Sequence, residues 1–133
     1  MQFSAELGNL HSMLSWVIGE LAPFNPPVTW VHELELSLEE AIMNIITYAY
    51  PSEQKGSIYL EILEEKDFFI VTIKDQGRKF NPLVEAKSPK VHDDLHLQEE
   101  GGLGLYLMQK NVDQMLYNYE KKQNILTLIK KKP

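Results

Sequence analysis

The hydrophobic period of this chain switches from helical to alternating at Gly56, and that switch limits the folds open to it. Before it, Leu7, Leu10, Leu14, Val17, Ile18 and Leu21 recur at helical spacing and form one apolar stripe from Leu7 to Leu21. Pro23, Pro26 and Pro27 end that stripe by removing backbone donors and pushing the preceding residues out of helical geometry. A second stripe of Leu34, Leu38, Ala41, Ile42, Ile45 and Ala49 predicts a helix that runs to Tyr50 and closes at Pro51. From Gly56, Ile58, Leu60 and Ile62 alternate with Ser57, Tyr59 and Glu61, and a second run from Phe68 to Lys74 completes a hairpin. The stretch from Phe80 to Glu100 has no regular period and reads as a lid or a disordered connection. A third helix from Gly102 to Asp113 and a closing hairpin, Met115 to Tyr119 with Ile125 to Lys130, follow. The sum is an α+β two-layer sandwich, with helices on one face of a mostly antiparallel sheet.

Length and charge narrow the function. With 133 residues and 44% hydrophobic content the chain suits a single domain, residues 1–133, around one core. Nineteen acidic residues against 13 basic ones, a net charge of -6, leave no basic footprint for nucleic acid. The absence of cysteine excludes disulfides and thiolate chemistry, and no apolar run has the length of a membrane span or follows a signal-like start. A cytoplasmic enzyme or binding protein is the expectation.

Three short stretches carry the chemistry. Glu40 and Asn44 stand one helical turn apart, about 6 Å along the axis, on a polar face shared with Glu33 and Ser37. That face reads either as solvated surface or as the wall of a cleft closed by the loop after Phe80. In the cleft reading Asn44 offers its side-chain oxygen to Mg2+, and Glu40 accepts a proton from a hydroxyl attacking a γ-phosphate. Asp75 continues the phase of Phe69, Val71 and Ile73 and so points to the buried side of its strand, where a carboxylate needs a partner such as the exocyclic amine of adenine. Gly77 lets the backbone pass close to such a base, though an Asp-x-Gly turn at a strand end is the plainer reading. Gly101, Gly102 and Gly104 precede a helix whose amides and dipole can receive phosphate oxygens; a hinge at a helix start is the alternative. No Lys-Ser or Lys-Thr follows these glycines, so this is not a P-loop. His11, His32, His92 and His96 lack metal-ligand spacing, and His11 reads as a partly buried structural residue. Ser37 and Thr47 have no identifiable base, and Lys130-Lys131-Lys132 reads as a solvated tail.

Taken together, Glu33 to Tyr50, Asp75 to Pro82 and Glu100 to Met108 resemble the three boxes of the GHKL ATPase superfamily, and nearly the whole chain is similar to its small bacterial branch, the anti-sigma factor serine kinases of RsbW type. The resemblance implies a Bergerat-type sandwich with a mobile ATP lid and a cleft for ATP and Mg2+. It places Glu40 at the catalytic-base position, Asn44 at the magnesium position and Asp75 with Gly77 at adenine. Gly101, Gly102, Leu103, Gly104 and Leu105 fall at the phosphates, and Thr127 at a terminal-strand position that often touches the nucleotide. Two departures stand out: Lys79 where many relatives have a second glycine, and Tyr48 in place of a histidine.

The resemblance further implies a serine/threonine kinase that phosphorylates a STAS-domain anti-anti-sigma partner, that binds a sigma factor in its other state, and that often forms a homodimer. A non-catalytic switch, in which nucleotide orders the lid and selects the partner, is the competing expectation. The ATPase half of a sensor histidine kinase is the third, disfavoured because the residues before Glu33 leave no room for a dimerising helical hairpin.

Overall fold

The computed structural model describes residues 1–50, 56–85 and 104–133. Five antiparallel strands form one sheet: β1 (Gln2–Ser4), β2 (Ser57–Glu64), β3 (Phe68–Asp75), β4 (Gln114–Glu120) and β5 (Gln123–Lys131), in the order β1-β2-β3-β5-β4. Alternation assigns the two faces. Ile58, Leu60, Phe69, Val71, Ile73, Leu126 and Leu128 are buried beneath helices α1 (Leu10–Leu21) and α2 (Val28–Asn44). α1 contributes Met13, Leu14, Val17 and Leu21, and α2 contributes Trp30, Leu34, Leu38, Ala41 and Ile42. Each large aliphatic side chain so buried contributes about 1.5–3 kcal/mol before entropy is counted. This is the expected α+β sandwich. No helix covers the opposite face within the described residues, and there Leu63 and Leu116 lie exposed while Ile70, Ile125 and Ile129 are half-buried.

Several elements differ from expectation. The first helix begins as a 3-10 turn, Leu7–Asn9, and becomes α-helical only at Leu10. The second changes to π-helical winding over Ile45–Ala49, with the Ile45 amide shared between the carbonyls of Ala41 and Ile42. Single π turns inside helices mark local re-aiming of side chains, and this one sends Tyr48 outward and Tyr50 inward. β1 has only three residues, too few to show a period in the sequence. Among the described residues the third helix, α4, covers 104–110, and the chain reaches β4 at Gln114 through a turn; α3 (Pro82–Glu85) is one further turn of helix. The remainder of the expected lid, with Pro51, His92 and His96, lies outside the described residues.

The closing lysines are not a tail, because Lys130 shares the inward phase of Leu126 and Leu128. It is buried, with Nζ donating to the Asn111 carbonyl at 2.6 Å and meeting Glu33 at 3.1 Å. Lys132 pairs with Glu64. His11 is exposed rather than partly buried, because it falls outside the apolar stripe of α1.

The β4–β5 turn fixes what matters for function. Lys121 and Lys122 both take positive φ, 52° and 61°, as a two-residue hairpin of the twist-matched kind requires. The turn pairs Glu120 with Gln123, and β5 in turn sets Asn124 opposite Asp75 on β3. A one-residue slip would turn Asn124 to the uncovered face.

Candidate functional site: a cleft between α2 and the end of β3

Asp75 is the last residue of β3 and only 2% exposed, as its phase demanded. Its Oδ1 accepts from the Gly77 amide at 2.9 Å and from Asn124 Nδ2 at 2.8 Å. Its Oδ2 is buried with no partner. Burial is the larger influence and raises the Asp75 pKa above the usual carboxylate value, against the lowering effect of the bonds from Asn124 and Gly77. A buried, half-satisfied carboxylate is costly unless something completes it.

The loop after Asp75 is held from two sides. A β-carbon on Gly77 would lie 2.3 Å from the Ala49 carbonyl oxygen, so the glycine is required by the π-helical turn packed against it. That close approach to protein backbone differs from the approach to a base expected at this position. The Arg78 amide donates to the same carbonyl at 2.8 Å. Tyr50 supports the strand end, its hydroxyl accepting from the Gln76 amide and donating to the Ser57 carbonyl. Tyr48 stacks on Phe80 with ring centroids 5.4 Å apart, so the residue standing in place of the histidine serves as packing for the loop.

The second group lies on α2. Ser37 is fully buried and donates to the Met108 carbonyl at 2.6 Å, which fastens α4 across the polar face of α2. That face is therefore partly covered by α4 rather than wholly solvated. Glu40 is half-buried, and a β-carbon on Gly104 would sit 3.1 Å from its Oε2. The start of α4 thus lies directly against the carboxylate. Desolvation, followed by the charge of Glu39, raises the Glu40 pKa. Asn44, one turn on, makes a 4.0 Å contact from Nδ2 to Met108 Sδ, a weak sulfur acceptor. Leu105 is buried in the core, while Gly101, Gly102 and Leu103 lie outside the described residues.

Thr127 does not join this group. It pairs with Thr72 and Leu116 in register, and alternation turns it to the uncovered face, away from Asp75. Asn124 takes its place. Sequence reasoning passed over Asn124, although its phase with Leu126 and Leu128 marked it as a polar residue on the buried side. Tyr117, which donates to Asn124 Oδ1, was passed over as well.

These residues fit a magnesium nucleotide. Asp75 Oδ2 is an acceptor in need of a donor at the purine end, and the Asn44 amide oxygen is a hard donor for a hard cation. Mg2+ commonly takes one or two protein ligands and completes its shell with phosphate and water oxygens. A cavity of 470 Å³ on the uncovered face is lined by Asp75 itself with Tyr50, Ser57, Tyr59, Lys74 and Gln76 among others, and includes neither Glu40 nor Asn44.

Comparison with known proteins identifies the family and the fold. A family model described as a histidine kinase-like ATPase domain matches residues 3–130. An anti-sigma F factor of Geobacillus sp. (strain WCH70) is 26% identical over 131 residues, covering 98% of this chain and 89% of that protein. An anti-sigma F factor of Bacillus thuringiensis (strain Al Hakam) is 27% identical over 115 residues, 86% of this chain and 78% of that protein. Among solved structures, the histidine kinase domain from Erythrobacter litoralis EL346 blue-light activated histidine kinase matches with a TM-score of 0.56 at 18% identity. The match covers 77% of this chain and 45% of that one, a likeness of fold alone.

Proposed function

Because the chain belongs to the histidine kinase-like ATPase family, we propose that it is a magnesium-dependent serine/threonine protein kinase that transfers the γ-phosphoryl group of ATP to a partner protein. The observation that carries this reading is Asp75 Oδ2, a buried acceptor with no partner at the end of β3, taken with Glu40 and Asn44 half-buried on α2. Asp75 accepts the adenine amine, and the segment Gly101 to Leu105 receives the phosphates through backbone amides. Asn44 holds Mg2+, which supplies neutralising charge at the phosphate oxygens.

Glu40 is the base. It takes the proton of the partner's hydroxyl as that oxygen bonds to the γ-phosphorus, while the bond to the β-phosphate oxygen breaks and ADP leaves. Burial and the neighbouring charge of Glu39 raise its pKa, which makes the carboxylate a better proton acceptor. The names of the relatives support an anti-sigma role. In this reading the phosphorylated partner is a STAS-domain anti-anti-sigma protein, and a sigma factor is bound in the alternative state. The kinase acts as a homodimer in the cytoplasm.

Incubation with labelled ATP, Mg2+ and a STAS-domain partner tests the proposal. Label on a partner serine or threonine is expected. A partner that binds in a nucleotide-dependent manner yet gains no label would replace the kinase with a non-catalytic switch.

A further inference from the structure

Among the described residues five polar side chains are buried, and they fall in two groups. Asp75 and Asn124 stand at the end of β3, whereas Ser37, Asn111 and Lys130 gather between α2 and the end of α4. The last carbonyls of a helix have no partner within it, and here side chains supply them. Asn111 Nδ2 donates to the Leu107 carbonyl at 2.9 Å and Ser37 to the Met108 carbonyl at 2.6 Å. Just beyond the helix, Lys130 Nζ donates to the Asn111 carbonyl at 2.6 Å, meets Glu33 at 3.1 Å and lies 5.5 Å from the centre of the Trp30 ring.

These contacts form a series. On α2, Glu33, Ser37 and Glu40 are spaced four and three apart and so share one face. Their counterparts Asn111, Met108 and Gly104 come in the reverse order, so α4 lies antiparallel along α2: Lys130 joins Glu33 to Asn111, Ser37 bonds to Met108, and Glu40 stands against Gly104. The first two contacts are hydrogen-bonded, and the third brings the base beside the glycine segment. Trp30 Nε1 donates to the Lys131 carbonyl at 2.8 Å, so the strand from which Lys130 reaches is itself held to α2. A methionine would fill the same space without the cost of burying an ammonium, so packing alone does not call for a charge there. We propose that Lys130 is a positioning residue for phosphate binding, an inference that rests on the ATP reading above and deepens it: by joining the end of α4 to Glu33 it fixes where α4 lies along α2 and so keeps Gly104 against Glu40.

Glu33 is half-exposed, so its pair with Lys130 adds little to stability. Its effect is on where Nζ sits. A shift of α4 along α2 carries Gly104 away from Glu40 but leaves Asp75, on β3, in place. Loss of the Lys130 ammonium should therefore weaken the hold on ATP and spare adenosine, which has the purine and no phosphates. A fall in the amount of folded protein would lower both alike.

Calorimetry on the full chain, with Mg2+ and either ATP or adenosine, reads the ratio of the two affinities. Lys130→Met is expected to lower the preference for ATP by about two- to thirtyfold. Glu33→Ala, at a half-exposed position, should move it the same way and by less. The double substitution should lose no more than Lys130→Met alone, because Glu33 acts through Nζ. Lys132→Met removes a neighbouring cation that pairs with Glu64 on β2 and touches nothing in α4, so its preference should equal the parent's. A parental preference in Lys130→Met would overturn the proposal. So would a parental preference in Glu33→Ala, an outcome readable even if Lys130→Met does not fold. Additive losses in the double substitution, or a loss in Lys132→Met as large as in Lys130→Met, would overturn it as well. A parent that binds neither compound, or binds both equally, would overturn the ATP reading itself.

Discussion

At the end of β3, Asp75, Asn124 and the backbone of Gly77, Arg78 and Phe80 are joined by bonds of 2.8–2.9 Å. At the other end of the proposed site, Asn44 reaches a sulfur at 4.0 Å and Glu40 stands half-buried beside Gly104. The first arrangement is complete except for one oxygen. The second consists of side chains displayed on a helix, with few bonds to fix them. On the proposed reading, the base is recognised by groups fixed by strand register, whereas the transfer residues stand on one helix face.

The contrast breaks most sharply at Glu40. Glu40→Ala should lower phosphoryl transfer by about a hundredfold to ten-thousandfold while calorimetry finds nucleotide affinity unchanged. A parallel fall in affinity would show that the two ends are not separable. The raised Glu40 pKa also sets a direction: transfer should decline as pH falls through that raised value, because the protonated acid cannot accept the partner's proton.

Next in size is Asp75→Asn, with an expected loss of about tenfold to a hundredfold in ATP affinity. Its stability should move the other way. Burial raises the folded pKa of Asp75 above its unfolded value, so its contribution to stability is present below the ordinary carboxylate range and is lost as pH rises through the folded value. The uncharged amide does not titrate. Thermal melts should show the variant gaining on the parent from acid pH toward neutrality, and a constant gap would contradict the burial argument.

Gly77→Ala should cost about 1–3 kcal/mol in denaturant unfolding, since the new methyl meets the Ala49 carbonyl and must displace backbone. Ser37→Ala should cost about 1 kcal/mol by leaving the buried Met108 carbonyl without its donor, and should weaken ATP binding by loosening α4. Smallest of all is Thr127→Ala, which should leave nucleotide affinity as it was, because Thr127 faces away from the cleft.

Asp75 was legible in the sequence because period-two phase alone predicts a buried carboxylate. Glu40 and Asn44 were legible as a pair, yet the helical wheel could not distinguish a wall from a surface; only Ser37, polar and wholly buried under α4, does so. Thr127 was misplaced and Asn124 missed for one reason. Whether a strand residue faces the cleft depends on the register set by the Lys121-Lys122 turn and on which face the helices cover, and both are tertiary facts. The π-helical turn at Ile45–Ala49 left no mark in the hydrophobic pattern either, since it widens a helix without changing which residues are apolar.

The most direct measurement is calorimetric titration of the parent and of Asp75→Asn with ATP and Mg2+ at neutral pH. Heat of binding from the parent, largely lost in the variant although its melt is unimpaired, is the expected result. Equal titrations for the two proteins, or none for the parent, would contradict the claim that Asp75 Oδ2 receives the purine.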